Sequence, residues 1–132
     1  MVHLFTFTSG QFDPTTERPN PINPIPGEGI LKWLSAQLDR RQFTITEPDA
    51  EDWGWYVDVA SGRRRYLVGA SGDWGERGSK TYWTIQLHLS RSLWDKLSGA
   101  NKLASNDALS AAIEAAVKGN PEFRNVEVER GA

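Results

Sequence analysis

The sequence predicts an α+β domain, a single mixed or antiparallel sheet of about five to six strands with two main helices packed on one face. Three observations carry that expectation. Residues 81–89 alternate strictly, Trp83, Ile85, Leu87 and Leu89 against Tyr82, Thr84, Gln86 and His88, which is the two-residue period of a half-buried strand. Residues 53–60 repeat it, with Trp53, Trp55, Val57 and Val59 on the odd positions. Two other stretches switch to a helical period. They are Ile30, Leu31, Leu34 and Leu38 in one, and Leu109, Ala112, Ile113, Ala116 and Val117 in the other.

The bulk numbers fit such a domain. The chain has 132 residues, 39% hydrophobic and 24% charged, which supports one domain over 1–132 burying roughly two thirds of its unfolded surface. Fifteen basic against seventeen acidic residues leave a charge of −2. That balance gives no global attraction to nucleic acid or to an anionic membrane, though it leaves room for a local basic patch. The absence of cysteine removes disulfides, thiolate metal sites and a Cys nucleophile. No apolar run approaches the ~20 residues that span a bilayer, and residues 1–8 lack the basic and apolar regions of a signal peptide. A cytoplasmic location is the expectation, without membrane or nucleic-acid partners. With His3 and His88 as the only histidines, no zinc spacing exists, and neither metal nor cofactor is expected.

Taken in order, residues 2–8 read as a strand with Val2, Leu4 and Thr6 on one face and His3, Phe5 and Phe7 on the other. Apolar residues on both faces suggest cover from both sides, and they leave a homodimer open. Residues 9–29 form a long Pro-rich loop. Pro14, Pro19, Pro21, Pro24 and Pro26 each fix φ and remove a donor, and Ile22 and Ile25 are the residues expected to pin it. An amphipathic helix follows from about Glu28 to Arg41, with Glu28 and Arg40-Arg41 placed to complement its dipole. Residues 43–46 give a short strand, ended by Pro48 and Asp49.

Strands then follow at 53–60, 65–70 and 81–89, with a turn at Ser61-Gly62 and a Gly-rich connection after Gly69. Trp53, Trp55, Trp83, Ile85 and Leu87 are expected to share the face that meets the helices. Residues 90–98 read as a short helix with Leu93, Trp94 and Leu97 inward and Gly99 as its cap. Ser105 or Asn106 caps the stronger second main helix, which Gly119 and Pro121 close. Residues 126–129 read as a charged edge strand.

Four places invite a functional reading. In Glu51-Asp52-Trp53-Gly54-Trp55, carboxylates beside Trp suit a cation, a sugar or a basic partner. The plainer reading is a turn whose acidic residues accept hydrogen bonds from backbone N–H groups or indoles, with Gly54 allowing close approach. The connection Gly69-x-x-Gly72-x-x-Gly75-x-x-Gly78 carries Trp74 and Arg77. A strand follows it rather than a helix, so it is not a phosphate cradle, and Trp74 beside Arg77 reads as a hairpin tip able to anchor a ligand or partner. The polar face of the meander gathers Tyr56, Asp58, Tyr82, Thr84, Gln86 and His88. Asp58 and His88 are its candidate catalytic acid–base pair, against the plainer reading of a solvated or partner-facing surface. Arg63-Arg64-Arg65 reads as a solvated turn.

Asn23-Pro24, the Gly preceding a helix with Trp33-Leu34, and Glu51-Asp52-Trp53-Gly54-Trp55 together resemble a pattern in small uncharacterised bacterial proteins. The likeness covers roughly residues 3–60, and the Glu-Asp-Trp-Gly-Trp block is its specific part. The resemblance implies no activity. It makes the block a family hallmark, which does not promote Glu51 and Asp52 to catalysts.

Two functions remain in view. The first is a non-enzymatic domain binding a protein partner or a small ligand through Tyr56, Asp58, Tyr82, Gln86 and His88, or through Trp74 and Arg77. The alternative is a small hydrolase-like enzyme using Asp58 and His88. It requires those two residues to meet in one concave site.

Overall fold

A computed structural model, which describes residues 2–73 and 81–131, arranges the chain as one antiparallel sheet of seven strands with three helices. The strands are β1 (Val2–Ser9), β2 (Thr44–Ile45), β3 (Asp49–Glu51), β4 (Gly54–Ser61), β5 (Arg64–Asp73), β6 (Thr81–Leu89) and β7 (Arg124–Arg130). The helices are α1 (Glu28–Gln37), α2 (Leu93–Ser98) and α3 (Ala108–Gly119). The sheet order is β2-β4-β5-β6-β1-β7, with β3 also paired to β4.

The seventh strand, beyond the five to six expected, is β3. Its residues Asp49, Ala50 and Glu51 pair with Tyr56, Trp55 and Gly54. Acidic residues have low strand propensity, so the sequence reads there as turn alone. The pairing is imposed by the tight hairpin back into β4.

Register puts one row of apolar side chains across the sheet, running Trp55, Ala70, Ile85, Phe5 and Val128. Alternation along each strand repeats this row with Val57, Val68 and Leu87. Ile30, Leu31 and Leu34 of α1 and Leu109, Ile113 and Val117 of α3 join the same buried cluster. Each such large side chain contributes roughly 1.5–3 kcal/mol on burial. Both main helices thus cover one face, α1 against β4 and β5 and α3 against β1 and β7.

Helix α1 stops at Gln37, and Leu38 is already extended. Arg40 and Arg41 therefore lie beyond the last turn rather than against its dipole. At the other end the Glu17 carboxylate accepts hydrogen bonds from the N–H groups of Gly27, Glu28 and Gly29 at 2.7, 3.1 and 3.1 Å. It satisfies donors that a helix start leaves open. Helix α3 is capped by Asp107, not Ser105 or Asn106, through the N–H groups of Leu109 and Ser110.

The Pro-rich loop is tied down by polar contacts. Asn20 Nδ2 donates to the carbonyls of Glu51 and Gly54, both at 2.9 Å. Asn23 Nδ2 donates to Asp52 O at 2.8 Å. The Pro26 carbonyl accepts from Gly72 N–H at 3.0 Å. Phe12 closes the core edge-on to Trp33 and Trp83. Ile22, expected to pin the loop, is exposed, and Ile25 is only half-buried. Two of the three separate parts of the resemblance pattern, Asn23 and the acidic block, are therefore in direct contact.

Two apolar assignments reverse. Trp53 sits in the turn between β3 and β4 and does not join Trp55. Gly54 has φ 148, and a Cβ there would lie 2.4 Å from Ala70 O. Only glycine fits that backbone. The turn breaks the two-residue period, so Trp55 points into the core while Trp53 crosses to the opposite face. In α2, Leu93, Trp94 and Leu97 point outward, at 72%, 75% and 74% exposure. The three side chains share one helical stripe, but the helix stands away from the core.

Candidate functional site

The face of the sheet turned away from α1 and α3 collects the residues singled out by alternation. Tyr56, Gly69, Gln86 and Leu4 lie side by side in one row. Asp58, Leu67, His88 and Val2 form the next. Tyr82 lies further along β6, opposite Asp73 and Thr8. Tyr56, Asp58, Tyr82, Gln86 and His88 thus share one surface. Trp74 and Arg77 lie outside the described residues.

Sharing a surface does not make Asp58 and His88 a pair. Leu67 stands between them, which separates their Cα atoms by about 10 Å at ordinary strand spacing. Asp58 is exposed, and its N–H donates to Thr46 Oγ1 at 2.8 Å. His88 Nε2 lies 3.1 Å from Gln86 Oε1, in the tautomer where Nε2 donates. Burial pushes the His88 imidazole below its usual value of 6.5, whereas a carboxylate partner in contact would raise it. The arrangement does not hold a base against an orienting acid.

The residue missed by periodicity is Trp53. Its Cη2 and Cζ3 lie 2.5 and 2.6 Å from where a Cβ on Gly69 would stand. Gly69 is thus the gap in β5 that lets the indole settle onto the sheet. Next to it is a shallow depression of about 400 Å³ walled by Ile25, Trp53, Ser71, Asp73, Tyr82 and Thr84. Tyr82 is 47% exposed there. The sequence signal was present, in a glycine directly after Trp53 within an acidic turn.

The surroundings are negative. Asp49 lies opposite Tyr56 on β3, and it, burial, Asp58 and Glu51 together raise the Tyr56 phenol above its usual value. The acidic block behaves as turn chemistry as well. Asp49 Oδ1 accepts from Ala50 N–H and Glu51 Oε2 from Asp52 N–H, while the buried Trp55 and Trp83 indole N–H groups find no acceptor among the described residues.

A second polar group lies on the covered side. His3 Nδ1 lies 2.7 Å from Ser110 Oγ, which also accepts from Arg130 Nε at 3.1 Å. Arg130 in turn pairs with Glu114. Tyr66 OH donates to Asp107 Oδ2 at 2.8 Å, and Arg64 reaches the same oxygen. A Ser–His contact has the geometry of nucleophile activation. Here Ser110 is fully buried and His3 nearly so, and the contact joins α3 to the sheet out of reach of a substrate. The depression between the Pro-rich loop and α1, about 640 Å³, is lined by charges already paired with one another, Arg18 and Lys32 on Glu28.

Among the described residues no three His, Asp or Glu side chains converge to hold a metal, and no helix is long and apolar enough to cross a membrane. Comparison with protein-family models, curated proteins and solved structures finds no match to this chain.

Proposed function

We propose that this chain is a non-enzymatic binding domain whose helix-free sheet face takes a positively charged partner segment. The observation that carries the reading is the position of Trp53. It leaves the core, lies over Gly69 and walls a depression together with Tyr82. Aromatic rings at the surface next to carboxylates, here Tyr82 exposed and Trp53 and Tyr56 half-buried, suit a Lys or Arg side chain, by cation–π contact and by charge. Asp49, Glu51 and Asp58 around Tyr56 supply the negative field. The separation of Asp58 from His88 by Leu67 favours binding over acid–base catalysis.

The test is a titration with an Arg/Lys-rich peptide, following the Trp53 indole N–H signal by NMR, with a Glu-rich peptide as control. Binding should shift that signal, weaken with salt, and fall about tenfold or more in W53A and Y82A. An equal shift of the Trp53 signal by the Glu-rich peptide, or unchanged affinity of the Arg/Lys-rich peptide in both variants, would overturn the proposal.

A further inference from the structure

Helix α2 is built without help from the core. Ser92 and Asp95 form a reciprocal capping box at its start. Gly99 closes it in the left-handed region at φ 75. Arg91 Nη2 donates to the carbonyls of Asp95 and Ala100, at 2.9 and 3.0 Å. A helix of six residues is too short to persist on propensity alone, so these local contacts hold it. Its three large apolar side chains nevertheless all face outward. Positions 93, 94 and 97 form one stripe on a helix, and Lys96 borders it next to Leu93.

Beside the stripe is a cavity of about 380 Å³ lined by His88, Leu89, Arg91, Lys96, Lys102 and Leu103. Its floor is apolar, with Leu103 buried, and its rim is cationic without a carboxylate. It differs in this from the ion-paired clusters of the fold. Arg18 and Lys32 have Glu28, Arg64 has Asp107, and Lys118 and Arg130 have Glu114. Arg91 is committed to carbonyls, while Lys96 and Lys102 make no ion pair among the described residues.

We infer that this corner, where the end of β6 meets α2, is a docking site for an acidic peptide segment of a protein partner. Its carboxylates meet Lys96 and Lys102, and its apolar side chains pack on Leu93, Trp94 and Leu97. Charge complementarity selects the occupant, since two unpaired lysines at the mouth of an apolar cavity attract a carboxylate next to a hydrophobic group. An exposed apolar stripe rimmed by polar residues is the usual mark of an interaction surface. An anionic bilayer also takes Trp and Leu flanked by Lys. It is disfavoured here because the net charge is −2, and because a concave cavity fits a discrete side chain better than a membrane plane. This site is separate from the Trp53 face and does not depend on it.

The experiment uses the full chain and a fluorescein-labelled peptide alternating Glu and Leu, read by anisotropy. Versions of the peptide carrying Gln or Lys in place of Glu serve as controls. The Glu peptide should bind with an affinity that drops about tenfold or more in the double variant K96E/K102E and in the triple variant L93S/W94S/L97S, whereas the Gln and Lys peptides should show no binding that depends on these five residues. All five positions are exposed, and circular dichroism verifies that the fold survives. Docked carboxylates should also raise the His88 imidazole titration followed by NMR, while W53A leaves binding unchanged. Absence of Glu-peptide binding, binding of the Gln or Lys peptide that L93S/W94S/L97S weakens equally, or indifference of the Glu peptide to K96E/K102E would overturn the inference. So would capture by phosphatidylglycerol vesicles, or self-association through Leu93, Trp94 and Leu97, that the Glu peptide does not displace.

Discussion

Trp53 lies over Gly69, its ring carbons occupying the place a side chain on Gly69 would need. The relationship couples the tip of the β3–β4 hairpin to the middle of β5. It also decides which face of the sheet carries an aromatic platform. Substituting Gly69→Ala puts a methyl group 2.5 Å from Trp53 Cη2 and 2.9 Å from Gln86 Cγ. Both neighbours are side chains that can shift, so the expected cost is about 1–2 kcal/mol rather than loss of the fold. Urea denaturation measures it, and a displaced Trp53 indole N–H resonance identifies the cause. An unchanged resonance would mean the ring does not rest there.

Glu17 holds the start of α1 from a distance of ten residues or more along the chain. Glu17→Ala leaves three N–H groups without that carboxylate and removes a negative charge from the positive end of the helix. A loss of about 1–2 kcal/mol is expected. Limited proteolysis of the Pro-rich loop should accelerate as well, because Glu17 fastens its middle. Glu17→Gln should fall between the two, keeping an acceptor without the charge.

Tyr66 predicts behaviour in alkali. Burial, followed by its bond to Asp107, pushes the phenol up to about 12 from 10.0. The folded chain holds this proton more tightly than the unfolded chain does. Its contribution is therefore complete below pH 10 and is lost as the pH rises towards 12. Tyr66→Phe should flatten that part of the stability curve and cost about 1 kcal/mol at neutral pH. Urea melts across the alkaline range read both effects. Tyr56, whose phenol is also raised, remains in the variant and leaves a residual slope.

His3 predicts the opposite limb. Burial and then the Arg130 guanidinium lower its imidazole from 6.5, against a smaller opposing pull from Asp107. The unfolded chain binds this proton more readily, so the stability present above pH 6.5 declines as the pH falls through the folded value. His88, lowered by burial in the same direction, adds to the decline. His3→Asn, neutral throughout, should reduce the loss of stability between about pH 7 and 5. An unchanged acid limb in that variant would assign the effect to His88 alone.

Periodicity by itself determined the strand at 81–89, the apolar stripe of α3 and the alternation that sets Tyr56 and Asp58, like Gln86 and His88, apart from the core residues of their own strands. Each is a local repeat of two or 3.6 residues, legible without knowing what the segment touches. The side to which α2 turns Leu93, Trp94 and Leu97 was not legible. Helical spacing says that residues share a stripe, but not what covers it. The placement of Trp53 was hidden because a single glycine at φ 148 ends the alternation that would have sent it inward. The interposition of Leu67 between Asp58 and His88, and the meeting of His3 with Ser110, belong to the tertiary structure alone. Strand order and register are chosen by the burial and hydrogen bonding of the whole sheet, and no short window of the chain contains that information.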